Sequence, residues 1–163
     1  MMGDEKAIEE RICEERDKVK RDYTRRTIAI LNGLRERLGP QVTEAVSEMA
    51  AEAARAKWAE IARQEGSNTI EDIIRLLWEP LRAKGFEFTV ECREDGVQMR
   101  CVRCPNYDLA REIEGGPEWL YYLTCATDPH VVAGFNPKIG FRRTKTLMAG
   151  DDCCDHFYYY LED

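Results

Sequence analysis

A chain of 163 residues, 44% hydrophobic and 34% charged, has the composition of one soluble domain that can bury a core without staples. Its net charge of −7 excludes a duplex nucleic-acid binder, which needs a concentrated basic surface. No apolar run approaches the roughly 20 residues of a membrane span. The opening Met1-Met2-Gly3-Asp4-Glu5-Lys6 lacks the apolar core of a signal peptide, so a cytoplasmic location is expected. Seven cysteines, an odd number in such a chain, point to reduced thiols rather than a disulfide framework.

From Asp4 to Leu38 sparse apolar residues recur at helical spacing (Ile8, Ile12, Val19, Tyr23, Ile30, Leu34), and Gly39-Pro40 ends the helix. The stripe is thin at its start, so these turns are expected in solvent or on a partner subunit, which makes a homo-oligomer through the N-terminal helices the expected assembly. A second helix, Val42 to Gln64, places Val42, Val46, Met49, Ala53 and Ala56 on one face, with alanines that allow close approach. The third has the strongest pattern, Ile70, Ile73, Ile74, Leu77 and Leu81, behind a capping box of Thr69 and Asp72. Pro80 is expected to kink or end it, and Gly85 to close it.

After Gly85 the hydrophobic period becomes two. Phe86, Phe88, Val90 and Cys92 alternate with polar residues, Glu94-Asp95-Gly96 turns the chain, and Val97, Met99 and Cys101 face one way on return. Pro105 opens a helix that Gly115-Gly116 stops. Pro117 opens another, carrying Trp119, Leu120, Leu123 and Cys125, and Gly134-Phe135-Asn136-Pro137 reads as a loop. Ile139 to Leu147 and Cys154 to Leu161 form a second hairpin around Ala149-Gly150-Asp151-Asp152. The sum is one α+β domain over residues 1–163. Its helical half (1–85) packs on an antiparallel sheet built from two β-hairpins joined by two helices (86–163).

Three cysteines sit beside chain reversals or helix ends. Cys125 and Asp128, three apart on a helix, share a face and suit two metal ligands or a thiol beside a carboxylate; a buried cysteine and a helix-ending Asp is the plainer alternative. Cys104 precedes Pro105 at a helix N-cap, where unpaired N–H groups would lower its pKa; a small turn residue is the competing reading. Cys154 and His156 share one face of the last strand, with Asp155 on the other, and can act as two ligands or as nucleophile and base. Cys153 is expected to face solvent or the turn, His130 to be a surface histidine in a loop, and Cys13, Cys92 and Cys101 to have packing roles. Phe157-Tyr158-Tyr159-Tyr160 reads as strand packing. No Cys-x-x-Cys, phosphate loop or Gly-x-Ser-x-Gly elbow is present.

Five segments occur in order: Arg103-Cys104-Pro105, Cys125-Ala126-Thr127-Asp128, Gly134-Phe135-Asn136-Pro137, Arg143-Thr144-Lys145-Thr146-Leu147 and Gly150-Asp151-Asp152-Cys153-Cys154-Asp155. Together they resemble the L-2-amino-thiazoline-4-carboxylic acid hydrolase family, over roughly Phe86 to Tyr160. The resemblance implies opening of a cyclic thioimidate ring on the way to L-cysteine. The layout also resembles 4-vinyl reductase domains and the related ligand-binding domains of Golgi transport proteins, some of which bind zinc through cysteines near the last hairpin. Here Thr146 stands about where one such cysteine is expected, leaving Cys154 with His156 nearby.

Two functions follow as expectations. One is a hydrolase of a small C–N or C–S substrate, with Cys154 as nucleophile and Asp128 or His156 moving protons. In its metal form Cys104, Cys125 and Cys154, with His156, hold zinc or an Fe–S centre with one open position. The other is a non-catalytic sensor or carrier that uses the same cysteines for a metal, a cluster or a small apolar ligand.

Overall fold

The period change at Gly85 marks the real division of the chain. The computed structural model describes the backbone of residues 2–162 and the side chains of residues 6–162. Before that glycine everything is helical; after it come four strands and three short helices. Helix α1 (Met2–Leu38) ends at Gly39, whose φ of +96° suits glycine alone. It touches the rest of the protein along one face: Ile28 is buried, Asn32 accepts a 2.7 Å bond from the Trp119 indole, and Arg35 pairs with Glu118.

Helix α2 (Gln41–Glu65) buries Trp58, with Ala54, Ile61 and Ala62 packed beside it. This face is rotated from the expected one: Met49, Ala53 and Ala56 are exposed. The large Trp58 side chain decides the orientation, because it removes more apolar area from water than methionine and alanines on the other side. The capping box of Thr69 and Asp72 opens α3 (Ile70–Ile73), as expected. The helix continues without a break through a π-helical stretch (Ile74–Trp78) into α4 (Glu79–Arg82). Pro80 therefore neither ends nor simply kinks it. The Glu79 N–H reaches back five residues to the Ile74 carbonyl, and this wider turn accommodates the proline, which cannot donate.

Strands β1 (Glu87–Arg93) and β2 (Gly96–Arg103) form the expected hairpin. Strand β2 then pairs with β4 (Cys154–Tyr160), and β4 with β3 (Ile139–Arg142), giving an all-antiparallel order β1-β2-β4-β3. Strand β3 stops at Arg142 rather than Leu147. Carboxylates take over the backbone donors that a ladder would use. Asp155 accepts from the N–H groups of Thr144 (2.8 Å) and Lys145 (2.6 Å), and Asp151 from that of Thr146 (2.7 Å). The chain then makes a 3₁₀ turn (Leu147–Ala149).

Between the hairpins lie α5 (Pro105–Ala110) and α6 (Gly116–Leu123), then a 3₁₀ turn (Cys125–Thr127) and α7 (Asp128–Phe135). The expected helix through Cys125 is thus two helices, and Asp128 begins one instead of ending one. Pro129 explains this, since proline is favoured in a first helical turn. His130 lies on α7, partly buried, and Gly134 and Phe135 complete that helix rather than a loop. The inner sheet face, with Met99, Cys101, Cys154 and Tyr158, packs against Trp58, Ile73, Trp78 and Phe135. On the outer face Phe157 stacks on Tyr159, and Cys153 is only 1% exposed, not solvent-facing. Lys145 and Asp155 line a shallow cleft with it. Cys92 is exposed, because the inner face of edge strand β1 is covered only near Phe88. Cys101 is core, and Cys13 is exposed on α1.

Helix α7 crosses α2 so closely that a Cβ on Gly134 would lie 2.3 Å from the Arg55 carbonyl oxygen. Gly134→Ala is therefore expected to cost about 1–3 kcal/mol through forced separation of the helices. Gly33→Ala, on α1 with open space around the new methyl, is expected to be neutral or to stabilise by up to about 1 kcal/mol. Urea unfolding of the two variants measures both.

Candidate functional site

The alternation of β4 sends Cys154, His156 and Tyr158 inward together. Across the ladder stand Cys101 opposite Cys154, Met99 opposite His156 and Val97 opposite Tyr158. His156 is 7% exposed, its ring wedged between Trp78 (centroids 4.9 Å apart) and Phe141 (5.6 Å). The π-helical turn carries Trp78 into this position, and its indole N–H donates to the Tyr158 hydroxyl at 2.9 Å. Burial, then the nearby Asp128 charge, raises the Tyr158 pKa.

Asp128, at the start of α7, closes the constellation. Its Oδ2 accepts from the Arg143 guanidinium and lies 3.1 Å from His156 Nε2. Arg143, just beyond β3, also donates to the Cys125 carbonyl at 3.0 Å, so one side chain ties the 3₁₀ turn, α7 and the chain after β3 together. With Asp128 as acceptor, the neutral form of His156 would carry its proton on Nε2. Nδ1 is then a bare lone pair, and this buried atom has no hydrogen-bond partner. An unpaired acceptor inside an apolar wall costs free energy that a purely structural histidine has no reason to bear.

Cys154 is held from the other side. Its sulfur accepts from the Leu147 N–H at 3.3 Å and lies 3.6 Å from the Thr146 hydroxyl. The Thr146 hydroxyl in turn accepts from the Met148 N–H at 3.3 Å. Burial raises the pKa of Cys101, Cys104 and Cys125 alike. It pushes the Cys101 thiol up to about 12 and Cys125 to about 11, where the Asp128 charge adds to it.

Cys104 does occupy the N-cap of α5, next to Pro105. Backbone N–H groups of Asn106 and Tyr107 pull its pKa down as the helix-end argument requires, but burial outweighs them and the thiol titrates above its ordinary value. The expected low pKa at Cys104 is thus overturned by desolvation. Cys125 and Asp128 remain neighbours across the helix junction, linked through Arg143. Among the described residues, no three His, Cys, Asp or Glu side chains are arranged to hold a metal ion. His156 turns its Nε2 to Asp128, and Cys154 turns its sulfur to Leu147 and Thr146.

Three contributors escape a reading of the sequence by type and spacing. Arg143 lies fifteen residues from Asp128, and only its place in the Arg-Thr-Lys-Thr-Leu segment marks it. Cys101, assigned to packing, pairs directly with Cys154 across the sheet. Trp78 is brought to His156 by a π turn that hydrophobic periodicity does not register. Two surface clefts lie elsewhere: one of about 730 Å³ near Cys92, Phe157 and Tyr160, the other of about 280 Å³ over Cys153, Arg100 and Lys145.

Solved structures share this fold. The phenol-responsive sensory domain of the transcription activator PoxR, solved with phenol, superposes with a TM-score of 0.53 at 13% identity, covering 84% of this chain and 74% of that one. A trafficking protein particle complex subunit 3 from Naegleria fowleri, covalently bound to palmitic acid, gives 0.53 at 13% identity, covering 89% and 97%. At such identity the likeness is one of fold, and it matches the expected Golgi-transport layout. Comparison with curated proteins returns no match. No described helix is long and apolar enough to cross a membrane. The sequence pattern of the L-2-amino-thiazoline-4-carboxylic acid hydrolases matches residues 19–158, which include α1 from Val19, all four strands to Tyr158 and every side chain of the buried constellation, and the chain belongs to that family.

Proposed function

We propose that the protein hydrolyses a small cyclic C–N/C–S substrate of the thiazoline carboxylate type at the Asp128–His156–Cys154 constellation. The observation that carries this reading is the unpartnered, buried Nδ1 of His156, whose other nitrogen is fixed by Asp128. A neutral imidazole oriented in this way is a general base. In the proposed reaction a water oxygen bonds to the ring carbon of the C=N group while its proton passes to Nδ1. The C=N electron pair moves to nitrogen, which takes that proton from Nδ1. The tetrahedral carbon then collapses to a carbonyl: its hydroxyl proton passes through Nδ1 to the departing sulfur or nitrogen as the C–S or C–N bond breaks. In the covalent variant the Cys154 sulfur forms the first bond, His156 takes the thiol proton, and water releases the product in a second step. Arg143 offsets the Asp128 charge, and the Leu147 N–H steadies the Cys154 sulfur.

A second reading, binding without chemistry, is supported by the two solved folds, one solved with phenol and the other covalently bound to palmitic acid. An apolar enclosure of Trp78, Phe141 and Met99 around one polar atom suits a small apolar ligand with a single hydrogen-bonding group.

His156→Phe keeps the aromatic packing and removes the base, so turnover of a thiazoline carboxylate is expected to fall by about 10²–10⁴. Cys154→Ser is expected to abolish turnover while the melting temperature stays within a few degrees. Steady-state kinetics with thermal melts measures both. A wild type that turns nothing over, yet melts higher with phenol or palmitate, gives the site to the second reading. Full activity in the serine variant removes Cys154 from the chemistry.

The raised thiols set a pH dependence of stability. A thiol that ionises near 9 when unfolded but near 12 when folded holds its proton more tightly in the native state. Its contribution is complete below about pH 9 and is lost as pH rises toward 12, since only the unfolded chain gains by ionising there. Cys125 acts likewise between 9 and about 11. Melting temperature is therefore expected to decline from pH 9 to 11, and Cys101→Val to flatten the decline. An identical slope in that variant shows that other groups set the dependence.

A further inference from the structure

Helix α1 carries an apolar stripe that the rest of the chain leaves uncovered. Ile8, Val19 and Ile30 are spaced by eleven residues, and so are Ile12, Tyr23 and Leu34. Eleven residues make three turns of 3.67, close to the 3.6 of an α-helix, so both rows stay on one face and drift only about 20° per repeat. That face is the outward one. Ile28 points into the protein, and Ile30 lies about 200° around the helix from it. Exposure runs from 39% at Leu34 through 54–55% at Ile30 and Ile8 to 72% at Tyr23. From Ile8 to Leu34 the stripe is about 39 Å long at 1.5 Å per residue. A continuous apolar strip of that length, rimmed by charge, marks an interaction surface.

The charges on the same helix identify what covers it. Residues 1–19 hold seven acids against four bases, and residues 20–38 hold six bases against two acids. A second α1 running the opposite way sets each acidic half against a basic half; a parallel pairing sets like against like. Within the stripe the apolar rows are interrupted twice, by Glu15 and Arg16 and by Arg26 and Thr27. Glu15 and Arg26 lie within about 20° of each other around the helix, on one edge of the stripe. In an antiparallel pair like edges meet, so Glu15 of one copy reaches Arg26 of the other, twice about the two-fold axis. Among the described residues neither is ion-paired within its own chain. In-register parallel pairing brings unlike edges together and separates Glu15 from Arg26 by eleven residues along the axis.

We propose that two copies of this chain dimerise through α1 as an antiparallel helix pair centred near Arg21, with Ile8 facing Leu34, Ile12 facing Ile30 and Val19 facing Tyr23. The inference is independent of the catalytic reading, because every residue in it lies on the outward face of α1. The hendecad spacing predicts a pair that coils, if at all, with a right-handed twist.

Sedimentation equilibrium of the full chain, over about a hundredfold range of concentration, tests the proposal. The wild type is expected to be a dimer and Val19→Asp a monomer with an unchanged melt by circular dichroism at low concentration, since Val19 is 66% exposed. Glu15→Arg and Arg26→Glu alone are each expected to weaken association by about tenfold or more, and the double exchange to restore it. A wild type that stays monomeric throughout overturns the proposal, as does a dimer indifferent to Val19→Asp. Single exchanges without effect, or a double exchange that fails to restore the dimer, overturn the antiparallel register.

Discussion

The carboxylate of Asp128 is the contact on which the interior is organised. It receives Arg143 from the chain after β3 and faces the Nε2 of His156 from β4, while its own helix leans on α2 through Gly134. Three segments far apart in sequence are thereby fixed around one charge. Burying a carboxylate is costly unless it is paired and hydrogen-bonded, and here both conditions are met from different elements. Removing either partner would leave the other charge or lone pair stranded, so the arrangement resists piecemeal change. The same pairing dictates the histidine tautomer and thereby creates the free nitrogen that makes the site chemically interesting.

Much of the fold is legible in the residues. The switch from three- and four-residue steps to alternation at Gly85 locates the boundary between helices and sheet, and Thr69 with Asp72 marks the third helix start to the residue. Where the reading fails, a local pattern meets a nonlocal competitor. Ile139 to Leu147 has the look of a full strand, but the carboxylates of Asp151 and Asp155 capture its donors and end β3 at Arg142. The alanine-rich face of α2 yields to one tryptophan.

The site divides along the same line. Cys154, His156 and Asp128 stand out by type and by position near turns, and their environments are now concrete: Cys154 beside Thr146, His156 against Asp128. What the sequence hides is the third dimension. The thiol of Cys104 sits at a helix start, yet the depth of its burial, which no spacing reveals, reverses the direction of its titration. Arg143 is one arginine among many until the fold brings it to Asp128.

The π-helical turn ahead of Pro80 has a further implication for how this protein tolerates change in length. A π turn holds one residue more than the α-helix it interrupts, so it behaves as a stored insertion. Deleting one residue between Ile74 and Trp78 would let the segment relax to ordinary α geometry, a local gain. The segments on either side would keep nearly the same facing, because a π turn closes with about one residue more than an α turn. Ile70, whose N–H reaches the Tyr160 hydroxyl at 3.2 Å, and Trp78, which walls His156, could then both keep their places. The extra residue is slack that the helix can lose between its dock on the end of β4 and the ring beside Asp128.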